Sequence, residues 1–482
     1  MRLYNHIAGH LRAAAGVSAA ASMLMLGACN NVTDTLLEAT DPDIIAPGNA
    51  NSAEGALALY NGALSRLKTI GPSTAGEGST WLFGGLLADE WSTSSTFVQN
   101  DETDQRSIAI NNSTVNTMFR QLARARTSAN DALRGMRKWR PTETTRMAEL
   151  YFVRAYAEQQ MANDYCNGIP LSGMDSTGAI VYDVPHPVAY VFQAAIASAD
   201  SGLALIPATA TAAGDLLVRR ALLVTKARAL LGLGQHADAA ALVSTTAVPT
   251  SFTYDITFAT SSGDNTLWAQ PASSRRYTVG DSLEGRGRNL FVKNAIPFFS
   301  AQDPRVPVRY TVSTNGKDTT ISQDGLIPSR TTTLWARSTT TPIYNGLDAR
   351  LIEAEGKLKA NDFAGMTVIL NALRAAPPKL GEIQVPATGA GSLAPLTAPT
   401  TLDAAVNLFF REKAFWEFGR GFRLGDMRRL IRQYNRTADQ VFPVGVHYRG
   451  GNYGVDVNLP VTQSEENNPA LEGKAACIDR NA

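Results

Sequence analysis

Between residues 407 and 434 the chain reads NLFFREKAFWEFGRGFRLGDMRRLIRQY, and this stretch limits the available folds more than any other. Leu408, Phe409, Ala414, Phe415 and Phe418 recur at three- and four-residue spacing, which predicts a helix with a strongly apolar face. Gly419 and Gly421 predict a break, because glycine tolerates the backbone angles of a tight turn. Phe422, Leu424, Met427, Leu430 and Ile431 predict a second helix directly after it. Arg411, Glu412, Glu417, Arg420, Arg423, Asp426, Arg428 and Arg429 fall between these apolar positions. Guanidinium forks beside carboxylates, on a segment this apolar, predict paired charges at a half-buried joint. The plainer alternative is an exposed Arg-rich helix with buried stems and solvated heads. A nucleic-acid face ranks lower, since the carboxylates dilute any basic field.

The N-terminus points to export. Residues 1–28 carry Arg2 and Arg12, no acid, and an alanine-rich apolar run leading into Leu26-Gly27-Ala28-Cys29. This is the pattern of a secretory leader, and Cys29 is expected to become the lipidated first residue of the mature protein. An ordinary leader or a membrane helix is the alternative, but the run is short and rich in Ala and Gly for a span. Asn30 and Asn31 follow, with no acidic residue of the kind that holds lipoproteins at an inner membrane. The expected location is therefore the outer membrane, with the lipid as the only membrane contact. Across the chain 44 Lys and Arg face 43 Asp and Glu, a balance that gives no reason to expect nucleic acid or an anionic lipid surface as partner.

Residues 29–50 read as a polar, Pro-punctuated tether and 51–482 as a single body. Helical patterning covers about 51–245 and 343–434, with individual helices expected at 53–69, 80–91, 115–139 and 143–165. Segments 221–243 and 348–373 each read as an Ala-rich helix, a short polar turn and a second helix that begins with small residues. Small residues let two helix axes approach, so both are expected to be tetratricopeptide-like hairpins; unrelated Ala-rich helices are the alternative. Residues 250–342 change to Thr, Ser, Gly and Arg with short alternating runs, which predicts a strand- and loop-containing insertion. A tail is expected at about 435–482. The expected class is mainly α.

Patterns of chemistry are missing. His186, His236 and His447 are far apart, and the chain has no H-E-x-x-H, C-x-x-C, G-x-S-x-G or P-loop sequence. No metal and no cofactor are expected, and the chain is read as a non-enzyme, although a pair of catalytic carboxylates leaves no signature in sequence. Apart from Cys29 the cysteines are Cys166 and Cys477, which an exported protein is expected to pair as a clamp on the tail.

Gly421-Phe-Arg423-Leu-Gly-Asp426-Met-Arg428-Arg429 resembles the G-x-R-x-x-D-L-R-R signature of the SusD/RagB family of outer-membrane nutrient-binding lipoproteins. Arg420 stands where that family usually has Glu. Gly168-Ile-Pro170-Leu171, Asp303-Pro304-Arg305, Leu459-Pro-Val-Thr-Gln463-Ser-Glu465 and Asn468-Pro469 resemble further family passages in the same order. The resemblance implies capture of an oligosaccharide, or of a peptide, and delivery to a SusC-like TonB-dependent transporter. Sugar rings stack on aromatic faces, so Trp91, Trp268, Tyr277 and Trp335, in or beside polar loops, are the candidate platform. Trp81, Trp139 and Trp416, on helices, are expected in the core. A repeat scaffold for protein partners and a surface glycan hydrolase remain as alternatives.

Overall fold

The computed structural model describes residues 51–72, 79–175, 177–313, 319–472 and 477–482; the expected leader, Cys29 and the tether lie outside them. The chain is mainly helical. Helices α1 (Ala53–Ile70), α2 (Thr80–Leu87), α3 (Val98–Asp104), α4 (Ser113–Trp139), α5 (Thr144–Asp164) and α6 (Val188–Leu203) open it. Asn112 starts α4 by accepting the Thr114 and Val115 N–H groups at 3.2 and 3.1 Å. Buried Val115, Met118, Phe119, Leu122, Ala125 and Ala129 then follow the helical repeat. Helix α5 is buried on nearly every side, packed between α4 and α6.

Two helix hairpins follow: α7 (Ala213–Gly232) with α8 (His236–Leu242), and α9 (Gly346–Lys359) with α10 (Phe363–Ala375). They pack on each other through small residues. A Cβ on Gly356 of α9 would lie 2.7 Å from the Ala240 Cβ of α8, so only glycine permits that approach. Between the hairpins the expected strand-and-loop segment is present. Its strands β2 (Thr253–Ile256), β3 (Tyr277–Val279), β4 (Val308–Tyr310), β5 (Arg330–Thr332) and β6 (Thr341–Asn345), with β1 (Trp91–Thr93) from the opening helical part, form separate two-stranded antiparallel ladders, β1–β3, β2–β6 and β4–β5. A disulfide joins Cys166, just after α5, to Cys477 of the C-terminal tail, and Asn167 bridges to Asp479.

Helices α11 (Leu402–Trp416) and α12 (Arg423–Tyr434) are the predicted pair, broken at Gly419 and Gly421 with φ of +69° and +72°. At Gly421 a Cβ would fall 2.3 Å from Trp81 Cδ1, so the turn is pressed directly against the core. The joint is buried, rather than half-buried, and its ion pairs reach well beyond the two helices. Asp426 accepts from Lys413 at 2.7 Å and Arg429 at 2.6 Å, and Arg429 also clasps Glu355 of α9. Burial alone would raise the Asp426 carboxyl; the Lys413 and Arg429 charges outweigh it and hold its pKa below the ordinary value. Arg423 does not pair with Asp426; its Nε donates to the Ala88 carbonyl at 2.8 Å. Arg428 donates to the Ala162 and Asn163 carbonyls, closing the C-terminal end of α5 where the helix dipole is negative.

Trp81 and Trp416 lie in the core, but Trp139 is 39% exposed. It is the last residue of α4, just ahead of a polar turn, and Lys138 lies over its ring.

Candidate functional site

Strand pleating builds a cleft at the edge of the β2–β6 ladder. Successive side chains of β2 point to opposite sides, so Tyr254 is buried while Thr253 and Asp255 stay exposed. Thr253 and Asp255 line a cleft of about 640 Å³ together with Thr250, Ser251, the run Ser338-Thr339-Thr340, Asn345, Lys379 and Glu382. The wall at 378–382 is pinned by Glu382, whose N–H donates to the Leu334 carbonyl at 2.8 Å. The Thr253 and Thr339 hydroxyls donate to the Asp255 and Glu382 carboxylates, respectively, which fixes both acids on the cleft wall.

The buried joint supports this cleft. Asn345 lies on its wall and caps α9 by accepting from the Asp348 N–H at 3.1 Å, while the Asp348 carboxylate accepts from the Asn345 N–H at 2.8 Å. Asp348 is held in turn by both Nη atoms of Arg420, at 2.7 and 2.9 Å. Arg420, the departure from the family signature, thus anchors the helix whose first turn borders the cleft. A recess of about 30 Å³, room for about two waters, continues inward past Pro342, Asn345, Lys379 and Gly381 to Trp335, Phe418 and Arg420.

The expected aromatic platform is largely internal. Trp91 and Tyr277 are 0% exposed and Trp335 is 6% exposed. The Trp91 ring lies tilted against Phe418 at 5.0 Å and against Trp335 at 6.4 Å, and a Cβ on Gly419 would meet both tryptophans. The β1–β3 ladder and the 417–421 turn cover these rings, so no ligand face is left on Trp91 or Tyr277; Trp335 reaches only the inner recess. Trp268 alone of the four is half-buried. It follows Asn265, whose side chain donates to the Thr339 carbonyl at the cleft, so it stands near the cleft without lining it. Most residues on the cleft wall are polar and one, Phe252, is aromatic, so it is not the aromatic-lined cleft that a stacking platform would need.

The Thr, Ser, Asp, Asn, Lys and Glu residues that line it were not singled out by sequence. Their one signal was the change to Ser- and Thr-rich composition at 250–253 and 338–341, the two ends of the insertion. Each remaining histidine meets a carboxylate: His186 with Asp183, His236 with Glu355 and His447 with Asp104. Among the described residues no group of three or more His, Cys, Asp or Glu is placed to hold a metal.

No protein-family model and no curated protein matches the sequence. Solved structures match it in three dimensions. A SusD-like carbohydrate binding protein from Bacteroides fragilis superposes with a TM-score of 0.62 at 14% identity, over 87% of this chain and 99% of that one. Surface glycan-binding protein A from Bacteroides uniformis gives 0.60 at 14% identity, over 89% and 99%. A SusD/RagB family protein from Bacteroides thetaiotaomicron gives 0.58 at 12% identity, over 87% and 95%. At such identities the likeness is one of architecture: this chain has the SusD-like fold.

Proposed function

We propose that the protein captures a hydroxyl-rich oligosaccharide in the cleft between β2, β6 and the 378–382 loop. The observation that carries this reading is the lining itself. Serine and threonine hydroxyls, Asn345, Lys379 and two carboxylates offer both donors and acceptors, which is what sugar hydroxyls require. Solved structures of the same fold, described as carbohydrate binding proteins, support it. Cys29 as a lipid anchor, an outer-membrane location and delivery of the ligand to a SusC-like TonB-dependent transporter complete the proposal, on the strength of the N-terminal pattern and the 421–429 signature.

The test is a glycan and peptide array probed with the purified protein. An oligosaccharide should bind, and Asp255→Ala, Glu382→Ala and Trp268→Ala measure the share of each side chain. Loss of a hydrogen bond to a charged group costs about 1.5–3 kcal/mol, so either carboxylate variant should weaken binding about tenfold or more. Absence of binding to any glycan refutes the proposal.

Two carboxylates on one cleft also favour a second reading, a glycan hydrolase. It requires shorter sugars to accumulate during incubation and to disappear with Asp255→Asn or Glu382→Gln. Binding without products leaves capture as the function.

A further inference from the structure

A second concavity, of about 180 Å³, opens between α11, α12 and the chain at 294–296 and 438–441, and shares no residue with the cleft. Its walls carry three guanidinium groups, Arg411, Arg423 and Arg436, over apolar Phe410, Met427 and Leu430, and no carboxylate lines it. The charged residues of this lining are all arginines, whereas arginines at the buried joint, such as Arg420 and Arg429, are clasped by carboxylates.

The charges are unevenly compensated. Arg436 pairs with Asp403 at 2.6 Å. Arg411 is exposed and makes no ion pair among the described residues; its guanidinium lies 5.2 Å from the centre of the Phe415 ring. Arg423 makes none either: its Nε is spent on the Ala88 carbonyl, and the neighbouring Asp426 is committed to Lys413 and Arg429. The other acids near Arg423 are Asp89 and Glu90, both buried. Burial pushes the Glu90 carboxyl up to about 8 and raises that of Asp89 well above its ordinary value, which weakens the counter-charge they offer Arg423.

We propose that this pocket binds a small organic carboxylate with an apolar body, its carboxylate held between Arg411 and Arg423 and its apolar part on Phe410, Met427 and Leu430. Arginine suits the task because its planar fork meets a carboxylate through two parallel hydrogen bonds. The apolar floor gives the ligand body an area to bury that an inorganic ion lacks.

Titration calorimetry of the purified protein with benzoate, benzamide and inorganic sulfate tests this. Benzoate should bind saturably, and benzamide, the same body without charge, about tenfold more weakly or worse. Sulfate should also bind more weakly than benzoate. Arg411→Gln, at an exposed position without an ion pair, should lose about tenfold of the benzoate affinity while Arg411→Lys recovers part of it. The proposal is overturned if benzoate shows no saturable binding at millimolar concentration, if benzamide or sulfate matches it, or if Arg411→Gln leaves the affinity unchanged.

Discussion

Removing Arg420 should uncouple the joint from the cleft it supports. The Arg420 and Asp348 side chains are 7% and 0% exposed and meet through two contacts, Nη1 to Oδ1 at 2.7 Å and Nη2 to Oδ2 at 2.9 Å. Arg420→Ala leaves the Asp348 carboxylate buried without its counter-charge, and breaking a buried pair from one side costs about 3–5 kcal/mol. The Arg337–Asp264 pair, 54% and 30% exposed, is the internal control, worth ~0–1 kcal/mol. Urea unfolding of Arg420→Ala, Asp348→Ala and the double variant should return a coupling energy near the upper end of the roughly 0.5–3 kcal/mol seen for residues in contact. Amide exchange adds a local readout. Asn345 and Asp348 form the capping box of α9, so the first-turn amides of that helix should exchange faster in Arg420→Ala, loosening one wall of the cleft. A loss no larger than that of Arg337→Ala, or a coupling energy near zero, refutes the reasoning.

Stability should fall toward alkaline pH. Glu90 titrates at about 8 in the fold against 4.5 ordinarily, so the folded state alone holds its proton between those values, and the contribution present below pH 4.5 is lost as pH rises through 8. Glu90→Gln should flatten the slope of unfolding free energy across that window; a slope equal to wild type would show the proton is bound elsewhere. Cys166→Ala, by opening a disulfide that spans 311 residues, should cost about 2–5 kcal/mol, read as a lower denaturant midpoint. Gly421→Ala places a methyl 2.3 Å from Trp81 Cδ1 on a backbone with φ of +72°, and should cost about 1–3 kcal/mol from overpacking alone. A wild-type midpoint in that variant means the turn yields more easily than its packing implies.

Periodicity made the helices legible. Apolar residues at three- and four-residue spacing located α4 and α11, polar turns located the α7–α8 and α9–α10 hairpins, and the glycine pair located the break before α12. These are local properties, set by side chains within a few turns of one another. The four aromatic candidates show where that reasoning ends. A tryptophan beside a polar loop carries the same local signal whether a distant segment covers it or not. The β1–β3 ladder and the 417–421 turn cover Trp91, and nothing near Trp91 in sequence announces either.

By itself, then, the sequence determined the mainly helical class, the strand-and-loop insertion and the presence of ion pairs at the 407–434 joint. Tertiary structure alone decided which partners those charges took: Arg420 with Asp348, and Arg429 with Glu355 as well as Asp426. It also decided where the cavities are. The cleft joins residues 250–255, 338–345 and 378–382, and the arginine pocket joins 294–296 to two later helices. Concavity arises where separate segments meet without filling the space between them. It is therefore a property of non-local packing, which residue order along the chain leaves open.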